Sequence, residues 1–321
     1  MTPRLLALDW GTTRLRATLV DDQGMPLDVR SAESGILKVR DARFEAALES
    51  LCSDWLDQYP IPIIASGMIG SRQGWLEAPY LDSPASPSSA SPALRPIALE
   101  RGRTLHLIPG VRTLSPTGMD DVMRGEETQI WGADLSEPSV LVLPGTHSKW
   151  VLCGSNHSIE MFRTWMTGEL YSVLSTHSIL GRLMNDGASP AAFELGVRRA
   201  LDEPDALSAL LFSVRSAGLL ARLQADELPD YLSGLLIGSE VAAAARIFLA
   251  DQQSPATSGR APPRPSFGVR SPVRLIGDSA LCARYARAMT IARIESVTLP
   301  EDLASRGAWR LARAAGLLET T

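Results

Sequence analysis

The sequence predicts an α/β chain of two domains that share one structural plan, and three observations predict it. A pattern of apolar strand, Gly-Thr turn and second strand occurs twice, in residues 5–20 (LLALDWGTTRLRATLV) and 140–153 (VLVLPGTHSKWVLC). The first copy continues into a third strand, a helix and a buried strand, a β-β-β-α-β order. The chain has 321 residues, more than one hydrophobic core usually organises.

The first hairpin opens on the apolar run Leu5-Leu6-Ala7-Leu8, reaches Asp9, and turns through Gly11-Thr12-Thr13. It resumes with Leu15, Ala17 and Leu19 alternating against Arg14, Arg16 and Thr18, the period of a half-buried strand. A glycine turn flanked by threonine hydroxyls suits phosphate oxygens, and Asp9 stands where a hard cation bridging phosphates would want a carboxylate. The same residues also suit a turn that only satisfies its own amides. The second hairpin aligns Gly145-Thr146 on Gly11-Thr12 and puts Leu143 or Pro144 in place of Asp9. Two phosphate-type hairpins, one with a carboxylate, predict a nucleotide held between duplicated halves.

Residues 27–31 supply the third strand, and residues 41–59 carry Phe44, Ala47, Leu48, Leu51, Trp55 and Leu56 at helical spacing. Residues 60–65 read as a buried strand that feeds the Gly-rich loop 66–74, SGMIGSRQG. Loops at the carboxyl ends of strands are where α/β folds place ligands, and Ser71, Arg72 and Gln73 could hydrogen-bond a polyhydroxy acid. Residues 83–92, SPASPSSASP, read as a mobile surface loop. Residues 105–109 read as a short strand. Residues 119–133 predict a helix with Asp120 or Asp121 near its N-cap and Arg124 and Thr128 on one face.

Beyond the second hairpin, residues 157–165 continue the sheet and Thr167-Gly168-Glu169-Leu170 opens a helix. Residues 193–201, 207–223 and 231–249 are apolar helical stretches, the last with Gly234 and Gly238-Ser239-Glu240 for close helix approach or for a cleft. Residues 251–272 read as a Pro/Ser/Arg-rich surface excursion whose core, 254–266, is expected to be dispensable. Residues 273–289 return as strand, Gly277-Asp278 turn and helix, 294–299 as a last strand. Residues 301–317 form an amphipathic helix with Ala304, Ala308, Leu311, Ala315 and Leu318 as its stripe.

Composition narrows the class. Charged residues make up 21% and the net charge is −5, which leaves no polybasic footprint for nucleic acid or membrane. No apolar run approaches the ~20 residues of a membrane span. The N-terminus enters the first strand at once, so a cytoplasmic chain without a signal peptide is expected. Cys52, Cys153 and Cys282 lack CxxC spacing, and His147, His157 and His177 lack metal-ligand spacing. Lys38 and Lys149 are the two lysines among 31 basic residues, which marks Lys149, in the second hairpin, as wanted for its compact ammonium.

Five motifs resemble the 2-dehydro-3-deoxygalactonokinase family of the sugar kinase/hexokinase/actin superfamily. They are Asp9-Trp10-Gly11-Thr12-Thr13, Gly67-Met68-Ile69-Gly70-Ser71-Arg72, the run from Asp121 to Thr128 (DVMRGEET), that from Leu143 to Trp150 (LPGTHSKW), and Thr167-Gly168-Glu169-Leu170. The resemblance implies a two-domain actin-like ATPase (ribonuclease H-like) fold with β-β-β-α-β-α halves and an interdomain cleft. Domains of 1–135 and 136–321 are expected, with the last helix, 301–318, packing back on the first.

The implied activity is ATP-dependent phosphorylation of 2-dehydro-3-deoxy-D-galactonate at its 6-hydroxyl. ATP and Mg²⁺ are the implied cofactors, and a homodimer stays open. Asp9 would hold Mg²⁺ directly or through water, and Gly11, Thr12, Thr13, Gly145, Thr146, His147 and Lys149 would cradle phosphates. Gly277, Asp278 and Ser279 would flank the adenosine. Asp121 would accept the hydroxyl proton, and Ser71, Arg72, Gln73 and Arg124 would bind the sugar acid, with Arg72 or Arg124 on its carboxylate. A kinase for another sugar or sugar acid is the nearest alternative. A non-catalytic nucleotide sensor or a hydrolase of the same fold are rivals. Asp9 together with Asp121 argues against the sensor, and the polar 71–73 loop against water as acceptor.

Overall fold

The computed structural model describes residues 2–114, 118–249, 272–300 and 303–318. In chain order the elements begin with β1 (Leu5–Trp10), β2 (Leu15–Val20), β3 (Pro26–Ala32), α1 (Phe44–Gln58), β4 (Ile63–Ser66) and β5 (Tyr80–Asp82). Then come α2 (Pro87–Ala90), β6 (Arg95–Ala98), β7 (Thr104–Leu107), β8 (Gly110–Thr113), β9 (Asp121–Met123), α3 (Glu126–Gly132), β10 (Ser139–Leu143), β11 (Ser148–Cys153) and β12 (Ile159–Trp165). The remainder is α4 (Thr167–His177), α5 (Pro190–Asp202), α6 (Leu207–Leu219), α7 (Leu228–Phe248), β13 (Val273–Leu275), α8 (Ser279–Ile291), β14 (Ser296–Thr298) and α9 (Leu303–Ala314).

Two compact units result. One joins Met1–Glu137, Cys153–Phe162 and Pro300–Thr321, the other Pro138–Leu152 and Arg163–Leu299. Residues 153–162 thus belong with the first unit although they follow the expected boundary at 135/136, and the C-terminal helix joins the unit on which it was expected to pack. In that helix Leu303, Ala308, Leu311 and Ala312 are buried, while Ala304, Ala315 and Leu318 are only half-buried. The helix lies so close to α3 that a Cβ on Gly307 would sit 1.8 Å from the Thr128 carbonyl oxygen. Arg310 donates to the backbone oxygens of Trp131 and Ala133 at 2.5 and 2.8 Å, capping the end of α3.

The first unit is built on a six-stranded sheet in the order β3-β2-β1-β4-β7-β6. β1 pairs antiparallel with β2 and parallel with β4, with Asp9 opposite Arg16 on one side and Ser66 on the other. An apolar strand at the sheet centre is covered on both faces, and β1 is buried at every position but Asp9. Trp10, Phe44 and Trp75 close one face with ring centroids 5.8–6.4 Å apart. Such pairs contribute roughly 0.5–1.5 kcal/mol beyond their buried area. Phe44, Leu48, Cys52, Trp55 and Leu56 are the buried stripe of α1. That helix starts at Phe44 rather than at residue 41, because Asp41 and Ala42 have positive φ.

A second sheet in this unit, β5-β8-β9, overturns two expectations. Residues 121–123 are a strand whose Asp121 pairs with Thr113, and α3 begins only after Gly125 at φ 109°. Asp121 is thus not a helix N-cap, and Arg124 precedes the helix that carries Thr128. A glycine in the left-handed region breaks the helical pattern that side-chain spacing alone suggests. Residues 83–92 are not a mobile loop either. Ala85 bridges Ile159, and Ser86 and Ser89 cap α2 reciprocally at 2.8 and 3.3 Å with Pro87 at its start. Ala85, Pro87 and Ala90 are buried. The excursion 251–271 lies outside the described residues.

A five-stranded sheet in the order β12-β11-β10-β13-β14 repeats the plan, and in it β13 is parallel to both β10 and β14. Among the described residues the crossover from β12 to β13 carries four α-helices, α4 to α7, rather than the one of a minimal half. α7 is long and apolar enough to cross a membrane, the one such helix among the described residues, but most of it is buried. Cβ atoms on Gly234 and Gly196 would meet backbone of α5 and α7 at 2.1 and 2.4 Å, so the two helices touch through glycines.

Candidate active site

In the first unit the parallel register sets Asp9 beside Ser66 at the carboxyl ends of β1 and β4. Asp9 therefore adjoins the Gly-rich loop, as ligand-binding edges of α/β sheets require. Gly67, at φ 92°, passes beneath it, and a Cβ there would lie 3.4 Å from Asp9 Oδ1 and 2.9 Å from the Trp10 oxygen. Gly125 stacks next, its own Cβ position 3.2 Å from Gly67 Cα. Asp9, Gly67 and the start of α3 are thus in contact. Burial pushes the Asp9 carboxyl above its ordinary range, Arg16 across the hairpin pulls it down, and Glu126 pushes it up.

The hairpin tip is held from outside. Gly35, Ile36 and Leu37 donate to the oxygens of Thr13, Gly11 and Thr12 at 3.0–3.1 Å. The carbonyls are occupied and the Gly11 N–H donates to the Arg14 oxygen at 2.9 Å, which leaves the Thr12 and Thr13 amides for a ligand, and both threonines are exposed. Gly11 itself has no positive φ, and a Cβ on it would make only an ordinary 3.7 Å contact. The glycine this turn needs is Gly35, where a Cβ would fall 2.3 Å from Thr13 backbone.

Arg124 is buried, 9% exposed, with its guanidinium 4.3 Å over the Tyr80 ring. Its Nη2 donates to the Ala78 oxygen at 2.8 Å. Nε and Nη1 are buried without a partner, and so is Oγ of Ser71. Nη1 lies 3.0 Å from where a Cβ on Gly70 would be, so the guanidinium abuts the Gly-rich loop next to Ser71. Arg72 differs, its side chain 87% exposed and 3.7 Å from Glu77, and Gln73 is exposed too. The loop and the β9 end therefore bring Ser71 and Arg124 together and leave Arg72 and Gln73 in solvent. Asp121 heads the strand that leads to Arg124, half-buried, its Oδ1 accepting the Val122 N–H at 2.8 Å.

In the second unit Thr146 and His147 are exposed at the hairpin tip, while Lys149 is buried within β11 at 5% exposure. Lys149 is thus set apart from the tip. His147 Nε2 meets Glu169 Oε2 at 2.5 Å, and the Glu169 N–H donates to the Thr146 oxygen at 3.0 Å, tying the tip to the first turn of α4. Gly145 has no positive φ, and a Cβ there would meet nothing within 4 Å. Gly277, at φ 141°, closes on the same hairpin, its Cβ position 3.4 Å from the Pro144 oxygen. Asp278 caps α8, accepting the Leu281 N–H at 2.9 Å, and Ser279 follows, exposed.

The profile of the 2-keto-3-deoxy-galactonokinase family matches residues 9–311. The chain belongs to that family. The 2-dehydro-3-deoxygalactonokinase of Escherichia coli K12 is 38% identical over 290 residues, 90% of each chain. The crystal structure of a candidate 2-dehydro-3-deoxygalactonokinase from Sinorhizobium meliloti superposes with a TM-score of 0.81 at 31% identity, covering 99% of this chain and 100% of the other. Xylulose kinase from Lactobacillus acidophilus, at 10% identity, TM-score 0.50 and coverage of 98% and 90%, shares the fold, which is the actin-like ATPase architecture of sugar kinases.

Within this family member the residue that sequence reasoning passed over is Glu127. It is wholly buried on α3, with Oε2 accepting the Gly125 N–H at 2.7 Å and Oε1 unpartnered. Adjacent Glu126 accepts the Arg124 N–H at 3.0 Å, so the pair caps the two amides before the helix. Nothing in the Arg-Gly-Glu-Glu run says which glutamate is inside. Burial pushes the Glu127 carboxyl up to about 8, and Glu126 adds to the rise. Its folded value lies above its ordinary 4.5, so the folded state holds a proton that the unfolded state releases, and stability falls as pH rises from 4.5 to about 8. Glu127→Gln mimics the protonated form. The stability of wild type relative to Glu127→Gln, from urea melts, should fall by a few kcal/mol over that window and level off above it. A difference that does not change with pH would contradict the assignment.

Proposed function

We infer that the chain is an ATP-dependent kinase that phosphorylates 2-dehydro-3-deoxy-D-galactonate on O6. One observation supports the sugar-acid part of this reading most: the buried Arg124 guanidinium with two nitrogens unpartnered beside the Ser71 loop. A buried charge without partners is costly, and an acceptor carboxylate is the group that relieves it. Arg124 rather than Arg72 is therefore the carboxylate anchor, with Ser71 on a neighbouring oxygen of the acceptor. Gln73 and Arg72, both exposed, take at most peripheral parts.

Phosphoryl transfer asks a protein chiefly for positioning and charge neutralisation. The amides and hydroxyls of Thr12 and Thr13, in the turn that Gly11 opens, and the amides of Gly145, Thr146 and His147 would take phosphate oxygens, and Gly277, Asp278 and Ser279 would flank the adenosine. Lys149, buried in β11 two residues beyond the tip, would add its ammonium to the phosphate site from the strand side. Asp9 fits Mg²⁺: its carboxylate enters no ion pair or hydrogen bond with side chains among the described residues, which also hold no cluster of three metal-ligating side chains. Magnesium takes one or two carboxylates, with phosphates and water completing its shell, and it supplies charge neutralisation when bound. Asp121 would take the proton from O6. A cytoplasmic location and action on a small sugar acid go with this reading.

Release of ADP with a panel of acceptors tests the reaction. ADP should form with the keto acid, far more slowly with neutral hexoses, and hardly at all without an acceptor, and Asp121→Asn should lower turnover by about two orders of magnitude. Glucose used as well as the keto acid would overturn the sugar-acid assignment. ADP formed equally fast without acceptor would make the chain a hydrolase, and full turnover in Asp121→Asn would shift the base to Asp120 or Glu126.

Gly145 gives a separate test of the phosphate hairpin. The fold does not require a glycine there, so Gly145→Ala should leave the unfolding midpoint unchanged. A methyl in the space left for phosphate should raise KM for ATP about ten-fold or more. An unchanged KM would remove Gly145 from the nucleotide site.

A further inference from the structure

Glu240, on α7, is 2% exposed and collects four hydrogen bonds. Its Oε1 accepts Ser148 Oγ–H at 2.6 Å and Trp150 Nε1–H at 2.8 Å. Its Oε2 accepts Thr167 Oγ1–H at 2.5 Å and Tyr285 Oη–H at 2.6 Å. Two donors on each oxygen fill the acceptor capacity of a carboxylate. Burial alone would push the carboxyl up, and the four donors pull it back. An apolar residue here would leave four buried donors without an acceptor, so the carboxylate is what ties their segments together.

The donors come from both sides of the second hairpin tip. Ser148 directly follows His147, and Trp150 shares its strand face. Thr167 directly precedes Gly168, whose Cβ position is 2.5 Å from the Gly145 oxygen, and Glu169, which pairs with His147. Tyr285 lies two turns into α8, the helix that starts at Gly277-Asp278-Ser279. One carboxylate therefore grips the base of the phosphate hairpin, the helix that clamps its tip, and the helix that carries the adenosine junction. We propose that Glu240 is a positioning residue for ATP, which holds the phosphate-binding tip and the adenosine-binding turn of the second unit in their mutual register without touching the nucleotide. The proposal rests on the assignment of those two segments to ATP.

The experiment compares wild type with Ser148→Ala, Tyr285→Phe and Glu240→Gln. The first two each remove one donor from the carboxylate and keep its burial. In Glu240→Gln the Trp150 N–H, which can only donate, holds the amide oxygen toward the hairpin, so the NH₂ falls on the Thr167 and Tyr285 side. Each variant is read by unfolding midpoint, by calorimetric binding of ADP, and by KM for ATP and for the keto acid separately. The expected result is a rise of about three- to ten-fold in Kd for ADP and KM for ATP, with KM for the keto acid within about two-fold of wild type. Two results overturn the proposal: nucleotide affinity unchanged in folded variants, or KM for both substrates rising together in step with a lowered midpoint, which marks a merely structural contact. Wild type that binds no adenine nucleotide overturns the underlying ATP assignment, and the proposal with it.

Discussion

Parallel pairing at the centre of each sheet is the constraint on which the rest of the structure depends. In the first unit β1 and β4 run together, so the chain leaves both at one edge, and Asp9 and the Ser66 loop have to emerge side by side. In the second, β10 and β13 do the same for Gly145 and Gly277. Parallel strands need long crossovers, and these supply the helices that cover the sheets: α1 in one unit, α4 to α7 in the other. The apolar runs that make β1 and β10 buried centre strands thus decide where polar residues can gather.

At those edges the fold leaves polar groups unsatisfied rather than optimised. Nε and Nη1 of Arg124, Oγ of Ser71 and Oε1 of Glu127 are all buried without a partner, on the Gly-rich loop and the start of α3 in the first unit. Buried polar groups are normally paired, and each exception costs about 1–3 kcal/mol, more for a charge. The Tyr80 ring and the Ala78 carbonyl offset part of that cost for Arg124. Glu240 shows the opposite treatment in the second unit, where every acceptor position is filled. The Glu240 carboxylate has all its partners, whereas the Arg124 guanidinium keeps two nitrogens buried without one.

Much of this was legible in the residues. Strand-turn-strand patterns placed both hairpins, helical spacing placed α1 and the helices of the second unit, and the five motifs placed the family. The failures have identifiable causes. Positive φ at Gly125 ends the helical pattern around Asp121, a backbone property that spacing does not display. The Ser/Pro run at 83–92 looks like a loop by composition, yet its serines cap a helical turn and its alanines are buried. Arg72 and Arg124 are equivalent as letters. Only burial separates a solvated guanidinium from one sealed under Tyr80, and burial depends on residues distant in sequence. Glu240 stood out in the sequence only as part of Gly238-Ser239-Glu240 in an apolar helix, and its four donors come from segments distant in the chain.

The role proposed for Arg124 is to read the charge of the acceptor. The most direct measurement is the affinity of wild type and Arg124→Gln for the keto acid and for its uncharged carboxamide, by calorimetry. Wild type should prefer the carboxylate by about ten- to a hundred-fold, the worth of one charge-assisted pair, and Arg124→Gln should bind the two within about two-fold of each other. A variant that keeps the full preference for the carboxylate would contradict the account.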